Sequence, residues 1–249
     1  MAASIDIVIR SYHRDRHWLA LALRSVELFV TGQRNVVVVI PETSASRMDT
    51  APLRDAPGVR LRLCPGGDDD YLGQQLTKLH ADLLTDADLI VHLDSDQVFV
   101  QPCDLRERLW KEGRPWMAFS GGDRRPPRDG WRRSPAAFYG RPVHCDLATP
   151  LPLAVPRHVY GAVREHSLVA HGVPIAEYAR RAGAGRFSEA ALLRGHALLF
   201  EPERYAWVDV RDADPLPECL TFWSRAETPA SAAHRLPGAL AEQALAGLP

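Results

Sequence analysis

The chain has no Cys-x-x-Cys pair. Cys64, Cys103, Cys145 and Cys219 are widely spaced, which indicates neither a zinc ribbon nor a disulfide-dense framework, and reduced thiols in a cytoplasm are expected. An excess of charge of either sign is also missing. Lys plus Arg (30) nearly cancels Asp plus Glu (31), so no global field attracts nucleic acid or an acidic membrane, and an anionic ligand must be held locally. No apolar run approaches a membrane span. The N-terminus enters a strand-like run within a few residues, without the basic region and long apolar segment of a signal peptide. There is no internal repeat and no convincing linker. What is present is ordinary: 46% hydrophobic and 24% charged residues fit a soluble globular chain, and α/β folds of 249 residues are often single, so one domain over 1–249 is expected.

One stretch stands out from this background. In Asp88-Leu-Ile-Val-His-Leu-Asp94-Ser95-Asp96-Gln97 an apolar run ends in two carboxylates separated by one small residue. Leu89 to Leu93 is apolar except for His92 and fits a strand covered on both faces, with His92 a core histidine. Ligands in open α/β sheets bind outside the carboxyl ends of the strands, where Asp94 and Asp96 would fall, and alternation sends both carboxylates to one side. Such close anions repel unless a cation sits between them. Mg²⁺ or Mn²⁺, held by one or two carboxylates plus phosphate oxygens, suits that arrangement. An Asx-type polar turn is the competing explanation.

The pattern around this stretch alternates strand and helix. Ile5 to Ile9 reads as a first strand, followed by the polar loop Arg10-Ser11-Tyr12-His13; Leu19, Leu23, Val26 and Val30 recur at helical spacing between Arg14 and Val30. Val36 to Ile40 is a second buried strand, and Val59-Arg-Leu-Arg-Leu63 alternates like a half-exposed or edge strand. The triple acid Asp68-Asp69-Asp70 is explained by capping the next helix. There Leu72, Leu76, Leu79 and Leu83 form an apolar stripe, with Gln75 and Lys78 off it. Further on, a helix is expected over Leu105 to Trp110, a strand at Trp116 to Phe119, and a long loop from Gly121 to Pro135, rich in Gly, Pro and Arg and carrying Trp131. Helices follow at Val159 to Ala170 and Ile175 to Ala182. Ser188 is placed to cap a helix with Glu189 in its first turn, Tyr205 to Val210 is a strand, and Leu236 to Leu245 suggests a short terminal helix.

Three stretches together resemble glycosyltransferases of the GT-A fold, the nucleotide-diphospho-sugar transferase superfamily. Ile5-Asp-Ile-Val-Ile-Arg-Ser-Tyr12 is similar to the opening strand and loop that receive the nucleoside. Tyr71-Leu-Gly-Gln-Gln-Leu-Thr-Lys-Leu79 looks like the Gln-Gln-x-x-Lys-Leu helix of a bacterial subgroup, and Leu-Asp94-Ser-Asp96 is similar to the Asp-x-Asp motif. Phe187-Ser188-Glu189 resembles a Ser-Glu helix start more weakly, because Ala190 stands where an aromatic residue is expected.

The resemblance implies a GT-A, Rossmann-like fold, a mixed, mostly parallel sheet flanked by helices, with a nucleotide-sugar and metal half over 1–120 and an acceptor half over 121–249. It implies a hexosyl- or N-acetylhexosaminyl-transferase that takes a nucleotide-diphosphate sugar, a UDP-sugar for preference, with Mn²⁺ or Mg²⁺, and passes the sugar to a small-molecule or glycan acceptor. Asp96 would bind the metal directly, and Asp94 either the metal through water or the ribose. Ser95 would keep the turn small. Ser11 and Tyr12 would hold base and ribose, Arg10 would lie near phosphate, and Lys78 would pair with the diphosphate or Asp94. Glu189 would be the general base of an inverting enzyme, and His196 or His234 a third metal ligand.

A haloacid-dehalogenase-type phosphatase also places Asp-x-Asp after an apolar strand, but that motif normally opens its fold, whereas here two strands and two helices precede it. A non-catalytic nucleotide-sugar-binding or partner domain would keep the pocket without turnover.

Overall fold

The computed structural model describes residues 3–66, 71–121, 130–149, 152–183, 185–212 and 216–246. Asp68, Asp69 and Asp70, and the stretch from 122 to 129 of the arginine-rich segment, fall outside them. In chain order the elements used below are β1 (Ile5–Arg10), α1 (Arg16–Phe29), β2 (Asn35–Pro41), β3 (Val59–Cys64), α2 (Tyr71–Lys78), β4 (Leu89–Asp94) and β5 (Gln97–Phe99). Then come β6 (Arg114–Gly121), α3 (Gly130–Tyr139), β7 (Leu153–Pro156), α4 (Arg157–His171), α5 (Ile175–Ala182), α6 (Glu189–Phe200), β8 (Ala206–Asp209), β9 (Cys219–Thr221) and α7 (Gly238–Ala246). The architecture is mixed α/β, with a mostly parallel central sheet flanked by helices. No described helix is long and apolar enough to cross a membrane.

The chain divides into two compact units, each discontinuous. The first holds Met1–Ser4, Asp70–Val91 and Leu109–Pro215, and the second Ile5–Asp69, His92–Arg108 and Leu216–Pro249, so the boundary runs through β4.

In the second unit β1 pairs in parallel with β2, from Asp6 opposite Asn35 to Arg10 opposite Val39, and β2 pairs in parallel with β3. The run of five β-branched residues Val36 to Ile40 is buried throughout, which explains its lack of polar alternation. β3 keeps its alternation because it ends the β4-β1-β2-β3 order. Asp6, the second residue of β1, is fully buried, and its carboxylate accepts two bonds from the Arg34 guanidinium, at 3.0 and 2.9 Å, plus the Asn35 backbone and side chain at 3.1 Å. A satisfied buried carboxylate of this kind fixes the register in which β2 starts. On one side Trp18 and Leu21 of α1 pack with Val98, Phe222, Leu236 and Leu240, and the Trp18 and Phe222 rings stack at 5.0 Å.

The first unit is mainly helical. α3 and α6 approach so closely that a Cβ added at Gly195 would lie 2.9 Å from Pro135 and from the Tyr139 ring. Tyr139 is buried and donates its hydroxyl to the Leu192 carbonyl at 2.8 Å. Arg164 of α4 grips Asp82 with two bonds of 2.6 and 2.7 Å.

Several local expectations are corrected here. Helix α2 stops at Lys78 and gives way to a short 3₁₀ turn, leaving Leu83 69% exposed. Gln75 and Lys78, which the periodicity puts off the apolar stripe, are the buried residues of that helix, because each has a polar partner inside. The helix expected over 105–110 ends at Arg108, and Trp110–Lys111 pairs antiparallel with β6 instead. Gly130 to Pro135, expected to end a loop, begins the helix Gly130–Tyr139, with Pro135 inside it. Its buried Phe138 and Tyr139 outweigh the breaker signal of Gly and Pro. α4 and α5 lie where the helical spacing puts them, and Ser188 caps α6, accepting from the Ala191 N–H at 3.2 Å.

Candidate functional site

The second unit gathers the acidic turn and the loop after β1. Asp94 ends β4, and the turn that follows is held from three directions. The Asp94 N–H donates to the Gln97 side-chain oxygen at 2.9 Å, and the Gln97 amide donates in turn to Thr221 at 3.0 Å. Ser95, only 4% exposed, donates its hydroxyl to the Asp15 carboxylate at 3.0 Å. Asp96 accepts from the Ser224 N–H at 3.0 Å, while its own carbonyl accepts from the Phe222 N–H at 2.8 Å. The pairing of β9 with β5 positions this clamp, since Thr221 lies opposite Gln97. The turn is therefore held by hydrogen bonds from outside itself.

Two of the carboxyls here are raised by burial. Burial first, then the Asp94 and Asp15 carboxylates, push the Asp96 carboxyl up to about 6, although the Ser224 hydrogen bonds pull it down. Asp15 is raised as well, chiefly by burial and partly by Asp94, against hydrogen bonds from Ser95 and Ser224 and the charge of Arg225. The Asp94 and Asp15 carboxylates add to the effect of burial on Asp96. Among the described residues no group of three or more His, Cys, Asp or Glu is close enough to hold a metal ion by itself. The carboxylates interact through space without forming a ready cage. A divalent ion at Asp94 and Asp96 would take its other oxygens from phosphate and water, as small hard cations commonly do, and would offset the carboxylate repulsion that adds to the burial of Asp96. The residues present fit such an ion.

At the end of β1, Arg10 is 5% exposed, and its Nε and Nη2 atoms are buried without a hydrogen-bond partner among the described residues. The neighbouring Ser11 hydroxyl is buried and unpartnered too, whereas the Ser11 N–H is used by the Val39 carbonyl at 3.0 Å. Tyr12 meets His13 edge to face at 5.9 Å between ring centres. β1 and β4 are neighbours in the sheet, and the Ser95–Asp15 bond ties their loops together. Arg10, Ser11, Asp94, Ser95 and Asp96 therefore belong to one sheet edge.

Lys78, Glu189 and His196 lie in the first unit and His234 in the second. In the first unit Lys78 and Glu189 are brought together: they are 3% and 8% exposed, and the ammonium lies 3.5 Å from the carboxylate. Gln75 secures the same helix start by donating to the Phe187 carbonyl at 2.9 Å. His196, also in the first unit, stacks on Phe200 at 4.9 Å and lies 4.0 Å from Glu201; burial lowers its imidazole pKa despite that carboxylate. His234 is exposed, and its Nδ1–H donates to the Ser231 carbonyl at 3.1 Å. Neither histidine joins two further ligating side chains in a metal-holding group among the described residues. His92 is fully buried, the core position that the strand pattern indicates.

Sequence reasoning missed Asp15, Gln97, Thr221 and Ser224. Nothing in the local pattern marks Asp15, which precedes a helix like many acidic residues. The clamp at 221–224 lies in a turn-rich stretch far along the chain, and only tertiary pairing brings it to Asp96. Compared with known proteins, the chain matches no family model and shows no significant similarity to any curated protein sequence.

Proposed function

We propose that the chain is a metal-dependent glycosyltransferase that moves a sugar, hexosyl or N-acetylhexosaminyl, from a nucleotide-diphosphate sugar to a small-molecule or glycan acceptor. A UDP-sugar is the first donor to try, and Mn²⁺ or Mg²⁺ the ion. One observation carries this. Asp96, whose carboxyl burial pushes up to about 6, and a buried Arg10 guanidinium with Nε and Nη2 unpartnered among the described residues lie at the ends of neighbouring strands. Each is costly by itself, because burial penalises the charged form. A diphosphate with its cation answers both.

When bound, the ion supplies Lewis-acid neutralisation of the charge that develops on the departing diphosphate. The chain's own residues do the positioning. Asp96 would hold the ion, oriented by the Ser224 N–H, and Asp94 would complete the pair through the ion or the ribose hydroxyls. Ser95 is spent on Asp15 and keeps the turn closed. Arg10 would take phosphate oxygens with its unpartnered Nε and Nη2 and Ser11 would donate its hydroxyl to the ribose or phosphate, while Tyr12 would offer its ring to the base. Trp223, 71% exposed and next to Ser224, would give the nucleotide sugar a flat apolar surface. Glu189 remains the candidate base and Lys78 its charged partner, a role tested by Glu189→Gln. A cytoplasmic setting completes the proposal, supported by four cysteines that form no disulfide.

The test is a melting series with a panel of nucleotide sugars, each with Mn²⁺ and with EDTA. A donor that binds only the folded state raises the melting temperature, and the rise should need the ion, Asp96 and Arg10. No rise with any donor rejects the proposal. Hydrolysis of simple phosphate esters that disappears in Asp94→Asn would point to a phosphatase instead.

A further inference from the structure

The first unit contains a cleft of about 590 Å³ that the proposed transfer reaction does not use. It opens at the start of α4 and at the beginning of β4, where Leu89 lines it. Its charged lining is less balanced than its composition suggests. Asp82 is taken up by the two-bond grip of Arg164, and Asp88 accepts the Ser4 N–H and hydroxyl, each at 2.8 Å. On the basic side, His158 and Arg204 share the Glu201 carboxylate, each at 2.8 Å. The exposed Arg157 side chain makes one long bond, from Nε to the Asp82 carbonyl at 3.3 Å, its backbone N–H donates to the Asp88 carbonyl at 2.9 Å, and no carboxylate of the described residues pairs with the guanidinium. A guanidinium with both Nη groups to spare is a fork shaped for an oxyanion. Trp110 and Pro115 add apolar surface to the same cleft.

Gly161 is the second, independent pointer. It lies inside α4 and lines the cleft, its φ is ordinary, and a Cβ built on it meets nothing within 4 Å. Glycine weakens a helix relative to alanine, and neither a close approach nor a turn requires it at this position. Its effect is to leave cleft volume open beside Arg157.

We propose that this cleft binds a small phosphomonoester, with the phosphate on Arg157 near Arg204 and the organic part against Trp110 and Pro115. The proposal is independent of the transferase reading, since no residue is shared and no metal is involved. Isothermal titration in EDTA at constant ionic strength, with inorganic phosphate and with phenyl phosphate, tests it. The expected result is saturable binding of both, tighter for phenyl phosphate, and weakened about tenfold or more by Arg157→Gln, the loss of a charged hydrogen-bonding partner. Gly161→Leu should block phenyl phosphate while the protein melts no lower than wild type, because leucine is the better helix former. Failure of both probes to bind wild type, or equal binding by wild type and Arg157→Gln, would overturn the proposal.

Discussion

Replacing Asp96 by asparagine should make the metal-free protein more stable at neutral pH while removing its response to a divalent ion. In the folded protein the Asp96 carboxyl titrates at about 6, against 3.8 for the unperturbed group, mainly through burial. Between these two values the folded chain holds a proton that the unfolded chain has released, so stability from this group is greatest below about pH 4 and declines as pH rises towards 6. A difference of about two units, at about 1.4 kcal/mol per unit, puts the penalty above pH 6 near 3 kcal/mol at most. The asparagine side chain would keep an oxygen for the Ser224 N–H and carry no charge. The Asp96→Asn variant should then gain about 1 to 3 kcal/mol at pH 7, or about 2 to 6 °C for a chain of this size. Circular dichroism melts in EDTA from pH 4.5 to 7.5 measure this. The wild type should lose ground to the variant as pH rises, in a slope shared with Asp15, which is raised in the same direction. Mn²⁺ should reverse the order at pH 7 by stabilising only the wild type. A variant that melts below wild type at pH 7, or by a margin that ignores pH, would show that the buried Asp96 charge does not weaken the fold.

Arg10→Gln should melt no lower than wild type without ligand, since it removes a buried guanidinium that is partly unpartnered among the described residues, yet lose the nucleotide-sugar response in the same melting series. Glu189→Gln takes the carboxylate from buried Lys78 and should cost about 3 kcal/mol in urea denaturation, whatever its effect on transfer; a loss under about 0.5 kcal/mol would show that the pair is not a fixed buried contact. Gly195→Ala pushes a methyl into Pro135 and Tyr139 and should cost about 1 to 3 kcal/mol by the same measurement, with nucleotide binding retained in the protein that stays folded.

The sequence is legible where one physical cause acts locally. Val36 to Ile40 announces a doubly covered strand because nothing polar could sit there, Ser188 announces a cap, and Leu89 to Asp94 announces a strand ending in charge. It misleads where a polar residue is buried with a distant partner. Lys78 and Gln75 look like the wet face of α2 until Glu189 and the Phe187 carbonyl, more than a hundred residues later, account for them. Gly130 to Pro135 looks irregular because breaker residues are counted locally, whereas burial of Phe138 and Tyr139 is decided by the helices they meet. The candidate site is half legible for the same reason. Arg10, Ser11, Asp94 and Asp96 follow from strand ends, but Asp15 and Ser224 reach the turn only through tertiary contacts.

In the proposed transferase Asp94-Ser95-Asp96 and Arg10 divide one diphosphate and its cation between them, and a crystal structure with UDP and Mn²⁺ is the sharpest test. Mn²⁺ should be bonded to Asp96, the diphosphate should reach the Arg10 guanidinium, and the base should lie beside Tyr12. UDP and Mn²⁺ bound away from Asp96, or a diphosphate that leaves Arg10 unpartnered, would contradict it.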